Sequence, residues 1–162
     1  MELLEVYVVS GTRSKATYVA FLDTFLPHRR ALAEEFPFPE FTDPPQNVYL
    51  DPEELMERLE LEPNQSYSLY WQCDESSQGL QAMLIFTCDQ AMIAGLVVPT
   101  GTEGRILLEI ANVVKGQFGL VTTENFPPET SAEFIDLCRT STLIALVDGR
   151  LRGDRGESWD RE

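Results

Sequence analysis

The chain is poor in the residues from which many catalytic and metal sites are built. Its 162 residues include one histidine, His28, two lysines and three cysteines. The cysteines, Cys73, Cys88 and Cys138, form no Cys-x-x-Cys pair, so the usual zinc clusters cannot be assembled. No serine lies in a Gly-x-Ser-x-Gly turn, and the glycines of residues 99–105 lack the Gly-Lys-Ser/Thr ending of a phosphate loop. The sequence therefore predicts no catalytic residue, no metal site and no cofactor.

Secretion and membrane signals are also missing from the sequence. The first residues, MELLEVYVVSG, contain acids at positions 2 and 5 and lack the basic start of a signal peptide. No apolar run approaches the ~20 residues that a membrane-spanning helix needs. We therefore expect a cytoplasmic protein. Its odd number of cysteines fits a reducing compartment, although a bridge between Cys73 and Cys88, which are predicted to point inward on neighbouring strands, stays open as an alternative.

Negative charge is the most unusual property of the composition. The chain has 27 acidic and 12 basic residues, a net charge of −15, whereas its hydrophobic fraction of 43% is that of an ordinary globular domain. Such a field repels nucleic acid phosphates and anionic membranes and attracts basic proteins. We predict a basic protein partner, and neither nucleic acid nor a membrane.

Residues 66–98, SYSLYWQCDESSQGLQAMLIFTCDQAMIAGLVV, predict three successive strands. Tyr67, Leu69 and Trp71 alternate with polar residues, which is the period of a half-buried strand. The polar turn at residues 74–79 ends in glycine, and the next run is apolar on both faces, as in a central strand. This three-stranded unit is the predicted centre of the fold.

The remainder of the chain predicts helices interspersed with further strands. Ser14 and Asp51 are each followed by a helical pattern, and Pro52 suits the first position of the second helix. The predicted elements are a strand at 2–10, helices at 15–26, 52–61, 103–115 and 132–139, helical turns at 28–35, an extended piece at 47–50, and strands at 118–123 and 142–147. The fold class is α+β, a single mainly antiparallel sheet with helices packed chiefly on one face. Residues 1–149 are predicted to form one domain and residues 150–162 a charged tail.

A proline-aromatic segment, FPFPEFTDPPQ at residues 36–46, precedes the second helix. Four prolines in this stretch exclude a regular helix or a central strand. We predict that Phe36, Phe38 and Phe41 pin the segment onto the core. An exposed, partner-binding loop is the alternative.

The acidic residues are concentrated in residues 34–62. This segment has ten acids and one base, a net charge of −9 out of −15. Glu53, Glu57 and Glu60 follow one another at i, i+4 and i+7 on the outward side of the predicted helix, where like charges repel. A solvated, solubilising surface and a docking surface for a basic partner both fit this pattern. On the second interpretation these three residues bind the partner, together with Asp74 and Glu75.

The strands SYSLYW, AMLIFT and GLVV and the turn-helix ENFPPETSAEF, taken with the size and acidity of the chain, give a profile that resembles small acidic bacterial immunity proteins. The resemblance implies a non-enzymatic inhibitor that binds and blocks a basic toxin. The alternative is a small-molecule-binding regulatory domain, with a pocket between the sheet and the proline-aromatic segment, near Tyr70 and Trp71. A third hypothesis is an enzyme of unrecognised type, which a cleft that holds a carboxylate with a strongly perturbed pKa would favour.

Overall fold

The computed structural model describes residues 2–73, 81–123 and 126–153, which contain ten strands and four helices. The strands are β1 (Leu3–Ser10), β2 (Arg29–Ala31), β3 (Phe36–Phe38), β4 (Asn47–Tyr49), β5 (Tyr67–Cys73), β6 (Gln81–Phe86), β7 (Met92–Pro99), β8 (Phe118–Thr122), β9 (Ala145–Val147) and β10 (Arg150–Arg152). The helices are α1 (Lys15–Phe25), α2 (Pro52–Leu61), α3 (Glu103–Val114) and α4 (Ser131–Thr140).

Eight strands form one sheet in the order β10-β9-β8-β1-β7-β6-β5-β2, and all neighbours are antiparallel. The predicted three-stranded unit is β5, β6 and β7, which pair consecutively. β1 lies between β7 and β8 near the middle of the sheet. β3 and β4 form a separate hairpin. The predicted α+β class with a single antiparallel sheet is confirmed.

The two faces of the sheet are covered unequally. Val6 and Val8 of β1 point to the first face, where α1, α2 and α3 enclose the larger core. Tyr7 and Val9 point to the second face, where Phe134 and Cys138 of α4 contribute to a smaller cluster. This arrangement follows from the two-residue period of β1, whose side chains are apolar in both directions. The expected packing of helices chiefly on one face is confirmed.

The turn between β6 and β7 connects distant parts of the first face through a buried arginine. Arg13, only 6% exposed, donates from Nη1 to the carbonyls of Thr87 (2.7 Å) and Ala91 (3.5 Å). Its Nη2 donates to the carbonyls of Leu59 (3.0 Å) and Gln65 (2.8 Å), at the end of α2 and just beyond. Burial lowers the pKa of Arg13 to about 10, and the carbonyl end of α2 favours a cation at this place.

The same turn also fixes the start of α4 on the second face. The helix predicted at 132–139 begins at Ser131, and Thr130 is its cap residue, whose hydroxyl accepts from the N–H of Glu133 at 3.1 Å. Asp89, from the β6–β7 turn, accepts from Ser131 N (2.9 Å) and from Ala132 N (3.3 Å). A carboxylate supplied by another element therefore complements the positive end of the helix.

Three sequence predictions are wrong at the edges of the fold. Residues 28–35 do not form helical turns, because Arg29–Ala31 pair with the open edge of β5 instead. Residues 150–152 do not belong to a tail, because they pair with β9 across a tight turn at Asp148 and Gly149, both of which have positive φ. The predicted tail from residue 154 onward lies outside the described residues. Cys88 is exposed rather than inward, and all three cysteines are free.

Candidate functional site

The predicted acidic residues of α2 form an exposed stripe along the helix. Asp51 begins α2 as predicted, with its carboxylate accepting from Glu53 N at 2.9 Å. Leu55, Met56 and Leu59 face the core, so the 3.6-residue period turns Glu53, Glu57 and Glu60 toward solvent. We call these three glutamates the acidic stripe.

The acidic stripe changes the pKa of a residue on the neighbouring helix α1. Burial raises the pKa of Tyr18 in α1, and together with the smaller effects of Glu60, Glu57 and Glu53 it brings this pKa to about 12. The stripe therefore lies close to the first turn of α1. Lys15 at the start of α1 forms an ion pair with Glu57, with 3.5 Å between Nζ and Oε2, and both side chains are more than half exposed. Such a surface pair contributes little to stability.

The other two predicted partner-binding residues, Asp74 and Glu75, lie in residues 74–80, outside the described part of the chain. Their predicted role at the β5–β6 turn stays a prediction. The structure thus brings together three of the five predicted partner-binding residues, on one side of one helix.

The opposite side of α2 carries a cation with several partners. Arg58 lies over the ring of Phe38, 4.2 Å from its centroid. It donates to Asn47 Oδ1 (2.9 Å) and Tyr49 Oη (3.0 Å) of β4, and it pairs with Glu62. Arg58 therefore attaches the β3–β4 hairpin to α2, while the acidic stripe is left to solvent.

Beyond the hairpin, the proline-aromatic segment covers the open edge of β5. β2 pairs only with Trp71–Cys73, so the first half of β5 lacks a strand partner on this side. Tyr67 donates its hydroxyl proton to the carbonyl of Pro37 at 2.7 Å. Ser68 N donates to Glu40 Oε2 at 3.3 Å. A carboxylate thus takes the place of a strand at the edge, which blocks pairing with another chain.

A cavity of about 440 Å³ lies between this segment and β5, and we call it the Glu40 groove. Its lining includes four aromatic residues, two leucines and two glutamates, namely Phe36, Phe41, Tyr67, Tyr70, Leu32, Leu69, Glu35 and Glu40. The groove is therefore mainly apolar, with acidic groups within it.

Phe41 departs from the predicted pinning of the segment. Phe36 and Phe38 are buried as predicted, but Phe41 is 95% exposed and has a φ of 63°. Its neighbours explain the difference, because the residues before it are held by Tyr67 and by Arg58, whereas Phe41 follows the last anchored residue, Glu40. A left-handed backbone is uncommon and unfavourable at a bulky residue.

Glu40 is the carboxyl group with the most raised pKa in the described part of the chain. Burial raises its pKa to about 7, and the hydrogen bond from Ser68 offsets this only in part. Glu40 was not among the site residues predicted from the sequence. The available signal was an acid placed directly between a proline and a phenylalanine, in the segment already considered for a pocket wall.

The predicted pocket near Tyr70 and Trp71 is only partly what the structure contains. Tyr70 lines the Glu40 groove, but Trp71 points to the first face and is 3% exposed. The Glu40 groove lies at the open edge of β5, and β2 covers that edge at Trp71, where Ala31 pairs with it. Trp71 instead lines a separate cleft with Asp23, Asp51 and Glu53.

Within residues 2–73, 81–123 and 126–153, no three histidine, cysteine or acidic side chains are grouped so that they could hold a metal ion. Among the helices that the structure describes, none has the length and apolar character needed to cross a bilayer. No protein-family model, curated protein or solved structure matches this chain. The proposals that follow therefore depend on the geometry of the acidic stripe and of the Glu40 groove.

Proposed function

We propose that this protein is a non-enzymatic, acidic binding module that neutralises a basic protein partner, as an immunity protein neutralises a toxin. The observation that carries the proposal is the exposure of Glu53, Glu57 and Glu60 on one side of α2. The resemblance of the sequence to small acidic immunity proteins supports the same class of partner.

The charge arrangement favours binding to a partner over a purely structural role for the acidic stripe. α1, which borders the stripe, brings one lysine and one aspartate, so it adds no net positive charge. Like charges along a helix reduce its stability slightly, whereas concentrated negative potential increases association rates with basic proteins by ~10 to 10³-fold. The stripe would be retained because it accelerates and orients association.

The test compares the wild-type protein with a charge-reversed variant, Glu53→Lys, Glu57→Lys, Glu60→Lys, as bait in extracts of the source organism. We expect the wild type to retain one basic protein at about 50 mM salt and to release it at about 500 mM, because added ions screen exposed charges. The reversed variant should retain none of it. Association of the purified pair should then be measured by surface plasmon resonance over the same salt range.

A second variant separates the location of the charge from its total. Glu109→Lys, Glu133→Lys and Asp136→Lys change the net charge by the same amount on α3 and α4, where all three residues are exposed. This control should bind the partner with a smaller loss than the stripe variant. Equal losses, or unimpaired binding by a folded stripe variant, would contradict the role of the acidic stripe.

A second candidate function, a small-molecule-binding regulatory domain, is favoured by the Glu40 groove. Its volume of about 440 Å³ lies within the range of roughly 300–1,000 Å³ for small-molecule sites. One wall is the proline-aromatic segment and the other is β5, which is the location the sequence predicted for a pocket. Binding there would not require the acidic stripe, so the two functions can be tested separately.

A further inference from the structure

The Glu40 groove combines a partly buried carboxyl group with aromatic walls. We propose that it binds a small organic cation with an apolar body, whose charged nitrogen pairs with the Glu40 carboxylate and whose body packs among Phe36, Phe41, Tyr67 and Tyr70. This inference rests on the second candidate function above and is independent of the acidic stripe.

The Glu40 carboxyl group has few partners within the groove. Among the described residues, the Glu40 side chain has a single hydrogen bond, from Ser68 N at 3.3 Å. An ionised carboxylate in apolar surroundings is unfavourable unless it is paired with an opposite charge or satisfied by several donors. A cation beside Glu40 would supply the missing charge. A neutral or anionic ligand would not.

The walls of the groove consist mainly of aromatic and aliphatic residues. The aromatic residues Phe41, Tyr67 and Tyr70 line the same cavity as Glu40. Aromatic faces attract cations, and the attraction grows as the ion is desolvated. Apolar side chains such as Leu32 offer a surface for a hydrocarbon body. The lining therefore suits a molecule with a positive end and an apolar remainder.

Phe41 has an unfavourable backbone conformation in the free protein. Its φ of 63° is costly for a residue with a bulky side chain, and its ring is 95% exposed. A ligand that packs against the ring would bury this apolar surface.

Binding of a cation would be linked to the ionisation of Glu40. Burial raises the pKa of Glu40 to about 7, so the carboxylate form grows strongly between about pH 6 and pH 8. Tyr67 and Tyr70 on β5 also face Glu40, and burial raises both of their pKa values, so they stay neutral in this range. Glu35, beside β3, lines the same groove, and Glu129 lines an adjoining cavity on the far side of Glu40. Cation affinity should therefore rise with pH, by about tenfold between about pH 6 and pH 8.

The experiment uses three probes of similar shape and different charge, namely 2-phenylethylammonium, 2-phenylethanol and phenylacetate. Binding is measured by calorimetry and by the amide NMR shifts of Ser68 and Phe41. The cation should bind at least tenfold more tightly than the alcohol, and phenylacetate should show no binding. The affinity of the cation should fall by about tenfold when the pH is lowered from about 8 to about 6.

Variants then place the site. Glu40→Gln should lower cation affinity at least tenfold at high pH and remove the pH dependence. Phe41→Gly, which suits a left-handed backbone, should lower affinity severalfold while the protein stays folded. Glu109→Gln, which changes an exposed glutamate of α3 outside both proposed sites, is the matched control and should bind the cation as the wild type does.

Three results would overturn the inference: no cation binding up to the solubility limit, equal binding of cation and alcohol, or unchanged cation binding by Glu40→Gln. A protein that captures its basic partner through the stripe yet fails these tests would disprove only the groove proposal. The converse result would disprove only the role of the stripe.

Discussion

Charged groups at the β6–β7 turn have several hydrogen-bond partners, whereas the carboxyl group in the Glu40 groove has few. At the turn, Arg13 is buried and donates four hydrogen bonds, and Asp89 accepts hydrogen bonds at the start of α4. In the groove, Glu40 has one backbone donor among the described residues. Desolvation raises the pKa of a carboxyl group, and hydrogen bonds to its ionised form lower it. Hydrogen bonding prevails at Asp89, and desolvation prevails at Glu40.

The pKa values of the two carboxyl groups express this difference. Burial would raise the pKa of Asp89, but hydrogen bonds from Thr87, Ser131 and Ala132 outweigh it and bring the pKa to about 2. Burial dominates at Glu40 and raises its pKa to about 7. Charges at the turn are already used to hold the fold together, whereas the charge in the groove is available to a ligand.

The largest expected effect is at Arg13. Arg13→Met leaves buried carbonyls of Leu59, Gln65 and Thr87 without a donor, and we expect a loss of about 3 kcal/mol in the free energy of unfolding. Urea denaturation measures this change. Arg105→Met, which removes an exposed arginine paired with Glu109, is the control and should cost at most about 0.5 kcal/mol. Equal small losses would show that the turn does not depend on its buried charge.

Asp89→Ala should have the second largest effect. We expect a loss of about 1 to 2 kcal/mol, because the first turn of α4 loses its anionic acceptor. The folded-state pKa of Asp89 lies below the ordinary value of 3.8, so its contribution is present above that value and is lost as the pH falls through about 2.

Denaturation as a function of pH should therefore show the wild type and Asp89→Ala converging toward acid pH. Asp136→Ala, an exposed residue of the same helix, serves as the control and should be nearly neutral. A difference that persists unchanged at the lowest pH would argue against charge as the cause.

Glu40→Gln should act with the opposite sign and should stabilise the fold. The folded-state pKa of Glu40 is raised from 4.5 to about 7, so the folded chain is penalised for an ionised carboxylate as the pH rises through this window. Because the group is partly solvated, we expect a gain of about 1 kcal/mol at about pH 8 and none at about pH 4.

The gain should appear as a higher urea midpoint at alkaline pH only. Glutamine keeps an oxygen that can accept from Ser68, so the edge of β5 stays covered in this variant. A loss of stability at high pH would mean that the groove, like the β6–β7 turn, depends on its charge for structure.

The smallest expected effect is in the acidic stripe. Glu60→Gln removes a charge from the last turn of α2, three residues after Glu57, and should raise stability by about 0.3 to 0.5 kcal/mol at low salt. Glu133→Gln, in the first turn of α4, should lower it by a similar amount because the helix dipole favours an acid there. The same denaturation experiment measures both. A destabilised Glu60→Gln would make the stripe structural rather than a binding surface.

Much of the fold could be predicted because its signals are local. Ser14 and Asp51 cap the helices that directly follow them, so neighbouring residues specify these boundaries. Two-residue alternation identified β5, and the apolar runs identified β6 and β7. The outward position of the acidic stripe followed from the helical period in the same way.

The connections that shape the candidate sites could not be predicted, because they join residues far apart in the chain. Asp89 lies 42 residues from Ser131, and Glu40 lies 28 residues from Ser68. Phe38 and Phe41 belong to the same proline-aromatic segment, yet Arg58 covers Phe38 whereas Phe41 is exposed. Nothing in their spacing distinguishes them.

The sequence alone determined the α+β class, the central strands and the concentration of acids on α2, because each is a periodic or compositional property of a short segment. Only the tertiary structure decided which charges are satisfied and which remain available, because that depends on which donors the fold brings to each carboxylate. Asp89 lies in the short β6–β7 turn, and Glu40 lies in the proline-aromatic segment. Their different pKa values arise from desolvation and hydrogen bonds that exist only once the chain is folded.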